Sequence, residues 1–308
     1  MEIMSLVNAL PGAAAQGLIW GIMAIGVYLT FRILDIADLT VDGTMCTGGA
    51  VCIMMLMSGH NIWISMLAAT GAGMLAGLAT GIFHTVMGIP AILAGILTQL
   101  SLYSVNLKIM GKANQAVNVN KYDLLVSLRY IKDVPFYQNT ILIVAIFIVV
   151  LIALLYWFFG TELGCSLRST GCNPHMSRAQ GINTDVSKVL GLMLSNGLVA
   201  LSSALLAQYQ GFADVNMGRG AIVIGLAAVI IGEAVFSRIF RNFALRLVSV
   251  VIGSILYYLV LQTVIWLGID TDLLKMLSAV VVAVFLAVPY WKAKYFSKPI
   301  KRGGNTNA

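Results

Sequence analysis

Residues 141–159 read ILIVAIFIVVLIALLYWFF, with no charged residue and no alternation of apolar and polar positions. A strand with one wet face alternates with period two, whereas a helix needs about 20 apolar residues to cross a bilayer core. The stretch therefore reads as a membrane-spanning helix. The same reading outward gives spans at roughly 10–31, 36–57, 63–87, 90–110, 139–159, 187–209, 219–236, 245–267 and 273–290, about nine crossings.

Composition agrees. Of 308 residues, 59% are hydrophobic and only 10% charged, where a soluble domain carries about 25% charged residues. The mean hydropathy is +0.92. A soluble enzyme, a nucleic-acid-binding domain and a secreted disulfide scaffold are excluded. The fold class is all-α: a polytopic helical membrane protein, since in lipid only helices and closed barrels satisfy their backbone groups. One transmembrane domain accounts for residues 1–308.

The net charge of +7 points to topology rather than to nucleic acid, because basic residues collect in cytoplasmic loops. The first basic residue is Arg32, beyond the first span, so the N-terminus is expected outside, without a standard cleavable signal peptide. Crossing by crossing, Arg168, Arg178, Lys188, Arg238, Arg241 and Arg246 fall inside, with the basic tail 291–308. Segment 161–186 becomes a cytoplasmic loop and 111–138 an external one. Within the latter, Leu124, Leu128 and Ile131 recur at helical spacing, which predicts a short helix lying in the interface.

Two segments are not ordinary spans. Asp35-Ile-Ala-Asp38-Leu-Thr-Val-Asp42-Gly43 enters span two, and Asp214-Val-Asn216-Met-Gly218-Arg-Gly220 enters span seven. Glycine-interrupted segments of opposite orientation point to an inverted repeat around a pathway, with spans one to four and six to nine as the halves. In a helix Asp35, Asp38 and Asp42 would share one face. They either line the pathway or cap the following helix, and the two readings are compatible. Asn106 in span four, Asn196 and Gln208 in span six, and Asp214 are further pathway candidates. Ser195, Ser202 and Ser203 fit interhelical hydrogen bonding, and Gly71, Gly73, Gly77 and Gly81 form a small-residue packing face. Glu233 is expected to pair with Arg238 or Arg241.

Motifs for chemistry are missing. The chain has no G-x-x-x-x-G-K-[ST], H-E-x-x-H or G-x-S-x-G. No catalytic residue is assigned, no metal site is expected, and no cofactor is bound by this chain. Cys165, Cys172 and His175 lack a fourth ligand and a C-x-x-C pair for zinc.

In the inner loop, Asn173 suits an N-cap, Pro174 the first helical position and Gly181 the stop, which predicts a short helix at 174–180 carrying Met176 and Arg178. The pattern LG-x-x-LR-x-TG-x-NP-x-x-x-x-A-x-GIN over 163–183 resembles permeases of the branched-chain amino-acid/ribose family of bacterial ABC importers. FRILDIADLTVDGT and LSNGLVALSSALLAQYQGFADVNMGRGAIVIGLAAVIIGEA fit the same family, from about residue 14 to 290, and most resemble the branch paired with tryptophan- or tyrosine-type binding lipoproteins. The resemblance implies a homodimer in the bacterial cytoplasmic membrane, two cytosolic ATPase subunits that carry the ATP, and an external binding lipoprotein. It also implies that 174–181 is the helix coupling the chain to the ATPase. The solute is expected to be small, an amino acid or similar. The alternatives are an ion-coupled secondary transporter or channel, with the aspartates as a cation site, and a membrane scaffold without transport.

Overall fold

Short polar side chains mark where the apolar runs become helices. Asn61 accepts from the Trp63 N–H, Asn139 from Ile141, Thr161 from Gly164, and Asn183 from Asp185 and Val186. Each satisfies amides that the first helical turn leaves without partners. Gly111 and Gly211 close two helices in the left-handed conformation, at φ 68° and 78°. The computed structural model describes residues 3–118, 122, 124–127, 139–236, 240 and 242–267, with scattered positions between 273 and 287.

The helices are α1 (Ile3–Tyr28), α2 (Thr40–Met57), α3 (Ile62–Thr85), α4 (Ala91–Met110), α5 (Thr140–Phe158), α6 (Glu162–Cys172), α7 (Pro174–Ala179), α8 (Thr184–Gln210), α9 (Ala221–Phe236) and α10 (Phe243–Trp266). A π-helical turn, Leu29–Ile33, extends α1. Among the described residues seven helices are long and apolar enough to cross a membrane. The helix α9 has 16 residues, about 24 Å at 1.5 Å per residue, short of the roughly 30 Å core. It matches the predicted seventh span, and the long helices match the first six and the eighth. The ninth, 273–290, lies mostly outside the described residues.

Packing follows the expected repeat. The helix α1 packs on α10 as α8 packs on α3; α2 meets α3 as α9 meets α10; α2 meets α8 as α9 meets α1. Exchanging α1 with α8, α2 with α9 and α3 with α10 leaves this pattern unchanged, as an internal repeat requires. Small residues allow the closest approaches. A Cβ at Gly73 or Gly77 would strike the α8 backbone at Asn196 or Leu192, whereas Gly71 faces open space. The packing face on α3 is therefore Gly73, Gly77 and Gly81, without Gly71. Polar side chains of α8 join the halves: Ser195 donates to the Gly26 carbonyl and Ser202 to Ile19, both at 2.7 Å, and Ser203 donates to Met45. In an apolar surround these bonds hold helices together without exposing a polar group to lipid.

Two expectations are corrected, and Glu233 has a partner that the sequence did not suggest. Leu124–Ser127 are not helical; Leu124 and Val126 are buried, and the Leu125 N–H donates to Gln208 Oε1 at 3.3 Å. That stretch is folded onto the protein rather than lying in the interface, and Leu128 and Ile131 fall outside the described residues. Asp35, Asp38 and Asp42 do not share a helical face, because the helix begins only at Thr40 and Asp35 has φ 54°. Glu233 pairs with Arg32 at 3.0 Å; its expected partners Arg238 and Arg241 fall outside the described residues. An antiparallel ribbon of β1 (Asn114–Ala116) and β2 (Phe212–Asp214), tying α4 to α8, was also unforeseen.

Candidate functional site: the meeting of the two broken segments

Residues 34–39 break the path from α1 to α2, and residues 211–220 break the path from α8 to α9. The two breaks meet. Asp42, in the first turn of α2, accepts the Gly220 N–H on Oδ2 and the Ile222 N–H on Oδ1, both at 3.0 Å. These are first-turn amides of α9, where the helix dipole favours a negative charge. Asp42 thus caps the helix of the other half, not its own. Gly218 fits here because a Cβ would strike the Asp42 carbonyl, and its N–H reaches Cys46 Sγ at 3.3 Å. The Cys46 thiol in turn donates to the Val215 carbonyl at 2.9 Å.

Asp38 has a different environment. It is buried, its Oδ1 accepts from the Thr40 N–H at 2.9 Å, and its Oδ2 accepts from Asn196 Nδ2 at 2.7 Å. Asn196 Oδ1 accepts from the Thr44 hydroxyl at 2.7 Å, so one amide ties α8 to both ends of the α2 entry. Thr40, Thr80 and Thr98 continue the network at 2.7 and 2.9 Å into α3 and α4. A buried polar group without partners costs free energy, and this network leaves Asp38 and Asn196 fully engaged.

A cavity of about 260 Å³ opens beside this junction. Asp42, Gly43 and Cys46 of α2, Gln99, Leu100, Tyr103 and Asn106 of α4, and Val215 and Arg219 of the second break line it. Of the pathway candidates, the structure therefore brings Asp42 and Asn106 together. Asp38 and Asn196 form the buried support behind them. Gln208 is buried against Cys52 and Leu125. Asp214 turns the chain by accepting from the Asn216 N–H at 2.6 Å and pairs with Asn114 at 3.2 Å. Asp35 is exposed at its turn. Sequence reasoning passed over Arg219 and Tyr103 as site residues. A basic residue inside an apolar, glycine-broken segment was the available signal for Arg219.

On the far side of α8, Asn173 Oδ1 accepts the Met176 N–H at 3.0 Å, Pro174 opens α7, and Gly181 follows it at φ 82°. This is the predicted short helix. Met176 is 59% exposed. Arg178 is less free than expected: Nε donates to the Thr184 hydroxyl at 2.7 Å and a terminal nitrogen meets Asp185 at 3.2 Å. The preceding helix α6, absent from the sequence reading, seats this unit. A Cβ at Gly171 would strike the Ile33 carbonyl, and Arg168 lies 4.3 Å from the Phe243 ring centroid and 5.3 Å from that of Phe159. The exposed short helix is thus connected, through α6, to the end of α1 just ahead of the Asp35–Asp42 segment.

Residues 10–288 match the family model described as branched-chain amino acid transport system / permease component. The chain belongs to this family. It is a permease of an ABC importer, a transport protein of the cell membrane rather than an enzyme. The permease is 38% identical to a tyrosine transport system permease protein of Clostridioides difficile, over 88% of each chain. It is 25% identical to a fructose import permease of Bifidobacterium longum, over 86% of this chain and 73% of the other. Its fold is similar to that of PsaBC from Streptococcus pneumoniae, solved in complex with Fab, at a TM-score of 0.53 and 16% identity, over 95% of this permease and all of that chain.

Proposed function

We propose that this permease forms half of the translocation pathway of an ATP-driven importer for an amino acid, with L-tyrosine as the first solute to test. Two copies would flank the pathway, two cytosolic ATPase subunits would hold and hydrolyse ATP, and an external binding lipoprotein would deliver the solute. The observation that carries the reading is the cross-repeat cap: Asp42 of one half closes α9 of the other in the wall of a cavity. Broken helices meeting at a repeat interface are where transporters place substrate. The Leu100 and Tyr103 side of that cavity is exposed in the single chain, at 64% and 44%, and a second copy would close it. The amino-acid class rests on the higher identity to the tyrosine permease than to the fructose permease.

In this reading Asp35, Asp38, Asp42, Asn106, Asn196, Gln208 and Asp214 belong to the pathway or its supports. Asn173, Pro174, Met176, Arg178 and Gly181 form the ATPase-coupling element within the cytoplasmic loop 161–186. The N-terminus is placed outside and the basic tail 291–308 inside. Arg32 and Glu233, which pair with each other, both belong at the inner ends of their spans in this topology. Reconstitution of the permease with its encoded neighbours in proteoliposomes tests the proposal. ATP-dependent uptake of L-tyrosine, requiring both partners, is expected. Uptake of D-fructose alone would replace the solute class, and uptake driven by an ion gradient without ATPase would overturn the reading.

A further inference from the structure

We infer that the cavity between α2, α4 and residues 215–219 is a binding station for the zwitterionic head of an α-amino acid. Arg219 receives the carboxylate, and Asp42 with Asn106 receives the ammonium. The inference rests on the amino-acid reading above and assigns its recognition to particular side chains.

Two groups in the wall have unused capacity of opposite kind. Arg219 is exposed and makes no ion pair among the described residues. Asn106 is fully buried, and its Oδ1 has no hydrogen-bond partner, while its Nδ2 donates to the Gly43 carbonyl at 3.5 Å. That contact, though long, favours this amide orientation, since turned over, oxygen would face oxygen. The orphan atom is therefore an acceptor, and it needs a donor. Asp42 accepts one backbone N–H on each oxygen. A carboxylate has about four acceptor sites, so it keeps capacity for an ammonium.

Charge decides among solute classes. A neutral sugar carries neither charge, so it would meet Arg219 and Asp42 with hydrogen bonds that lack ion pairing. A simple anion would meet the Asp42 carboxylate and the Asn106 oxygen, and a simple cation would meet Arg219. A molecule carrying both charges on neighbouring atoms satisfies all three groups. Leu100, Val215, Cys46 and the Tyr103 ring supply the rest of the wall for an apolar or aromatic side chain. The volume of about 260 Å³ lies just under the roughly 300–1,000 Å³ of ordinary ligand pockets, which suits a single small solute. Asn106 Oδ1 is closed to solvent, so its bond to the ammonium requires the cavity to widen around the ligand.

The test is saturation-transfer NMR on the purified full-length permease, with L-tyrosine, tyramine (no carboxylate) and 3-(4-hydroxyphenyl)propionate (no ammonium) as probes. Uptake of L-tyrosine and D-fructose by the reconstituted importer is measured alongside. The expected result is L-tyrosine binding with both analogues weaker by roughly tenfold or more, the scale of one lost charge-assisted bond. Arg219→Gln should weaken L-tyrosine by a similar factor and leave tyramine unchanged. Arg219 is exposed, so this variant should fold; a melting temperature equal to wild type verifies that. Equal binding of all three probes, or undiminished L-tyrosine binding by Arg219→Gln, would overturn the inference. If L-tyrosine uptake persists in that case, the import reading stands and only the station falls. If the importer carries D-fructose and not L-tyrosine, the amino-acid reading itself falls, and the station with it.

Discussion

The Asp42 carboxylate and the Gly220 amide, 178 positions apart in the chain, meet at 3.0 Å and join the N-terminal turns of α2 and α9. Each broken segment supplies what the other lacks. The α9 start has free N–H groups, and α2 offers an acid that would otherwise sit uncompensated in the bundle. The same contact holds the two repeats at the place where solute is proposed to pass.

Replacing Asp42 should therefore affect structure and transport together. In Asp42→Asn one oxygen becomes an NH₂ group facing a backbone N–H, so one of the two cap bonds is lost. A cost of about 1–3 kcal/mol is expected, read as a lower melting temperature in detergent, with uptake reduced further than stability alone explains. Asp42→Glu, which keeps the charge, should recover less than half of the uptake, because the added methylene displaces the carboxylate from the α9 amides. Wild-type stability in Asp42→Asn would contradict the capping geometry.

The glycines of α3 are not equivalent, and Gly77 and Gly71 should respond in opposite ways. Gly77→Ala places a methyl group on the Leu192 carbonyl and should destabilise by about 1–3 kcal/mol, the usual cost of overpacking. Gly71→Ala faces open space and should be neutral or gain up to about 1 kcal/mol from helix preference. Thermal melts of the two purified variants check the contrast; equal effects would contradict the α3–α8 packing.

The proposed coupling role of α7 should be separable from the fold. The Arg178–Asp185 pair is exposed on both sides and worth about 0.2–1 kcal/mol, so a partner's acid can replace it. Met176→Ala with Arg178→Ala should lower stability by no more than about 1 kcal/mol while weakening ATPase association by roughly tenfold, as loss of interface anchors does. Co-purification and ATPase stimulation measure this. Unchanged association would remove α7 as the docking element.

Much of this architecture was legible in the sequence, and the part that was not has a common cause. Spans were readable because apolar length is a local property, and α7 because Asn173, Pro174 and Gly181 each act within one turn. Partner choice was not local. The pairing of Glu233 with Arg32, 201 positions distant, was not foreseen, while the nearby arginines assigned to it fall outside the described residues. Asp38 and Asn196 were both named as candidates, yet no spacing rule joins residues 158 apart. The shared acidic face failed for a different reason: a helical register was extended back through Asp35, whose left-handed backbone ends it. The β1–β2 ribbon escaped because three-residue strands are too short to show a period.

Native cysteines report the proposed topology without mutagenesis. Cys165 and Cys172 are exposed beside α7, and Cys46 and Cys52 are buried. In intact cells a membrane-permeant maleimide should label the first pair, and an impermeant one should label neither until the membrane is opened. Labelling of Cys165 or Cys172 by the impermeant reagent in intact cells would invert the assigned orientation.

The pathway claim is tested most directly at Tyr103, which lines the cavity from α4 and is 44% exposed. In a variant with the four native cysteines replaced by alanine, Tyr103→Cys is reconstituted with the ATPase and the binding protein, then treated with a hydrophilic thiol reagent. ATP-driven uptake of L-tyrosine should be blocked by the label, and L-tyrosine present during labelling should slow the loss. Complete labelling that leaves uptake unchanged would place the route elsewhere and contradict the account.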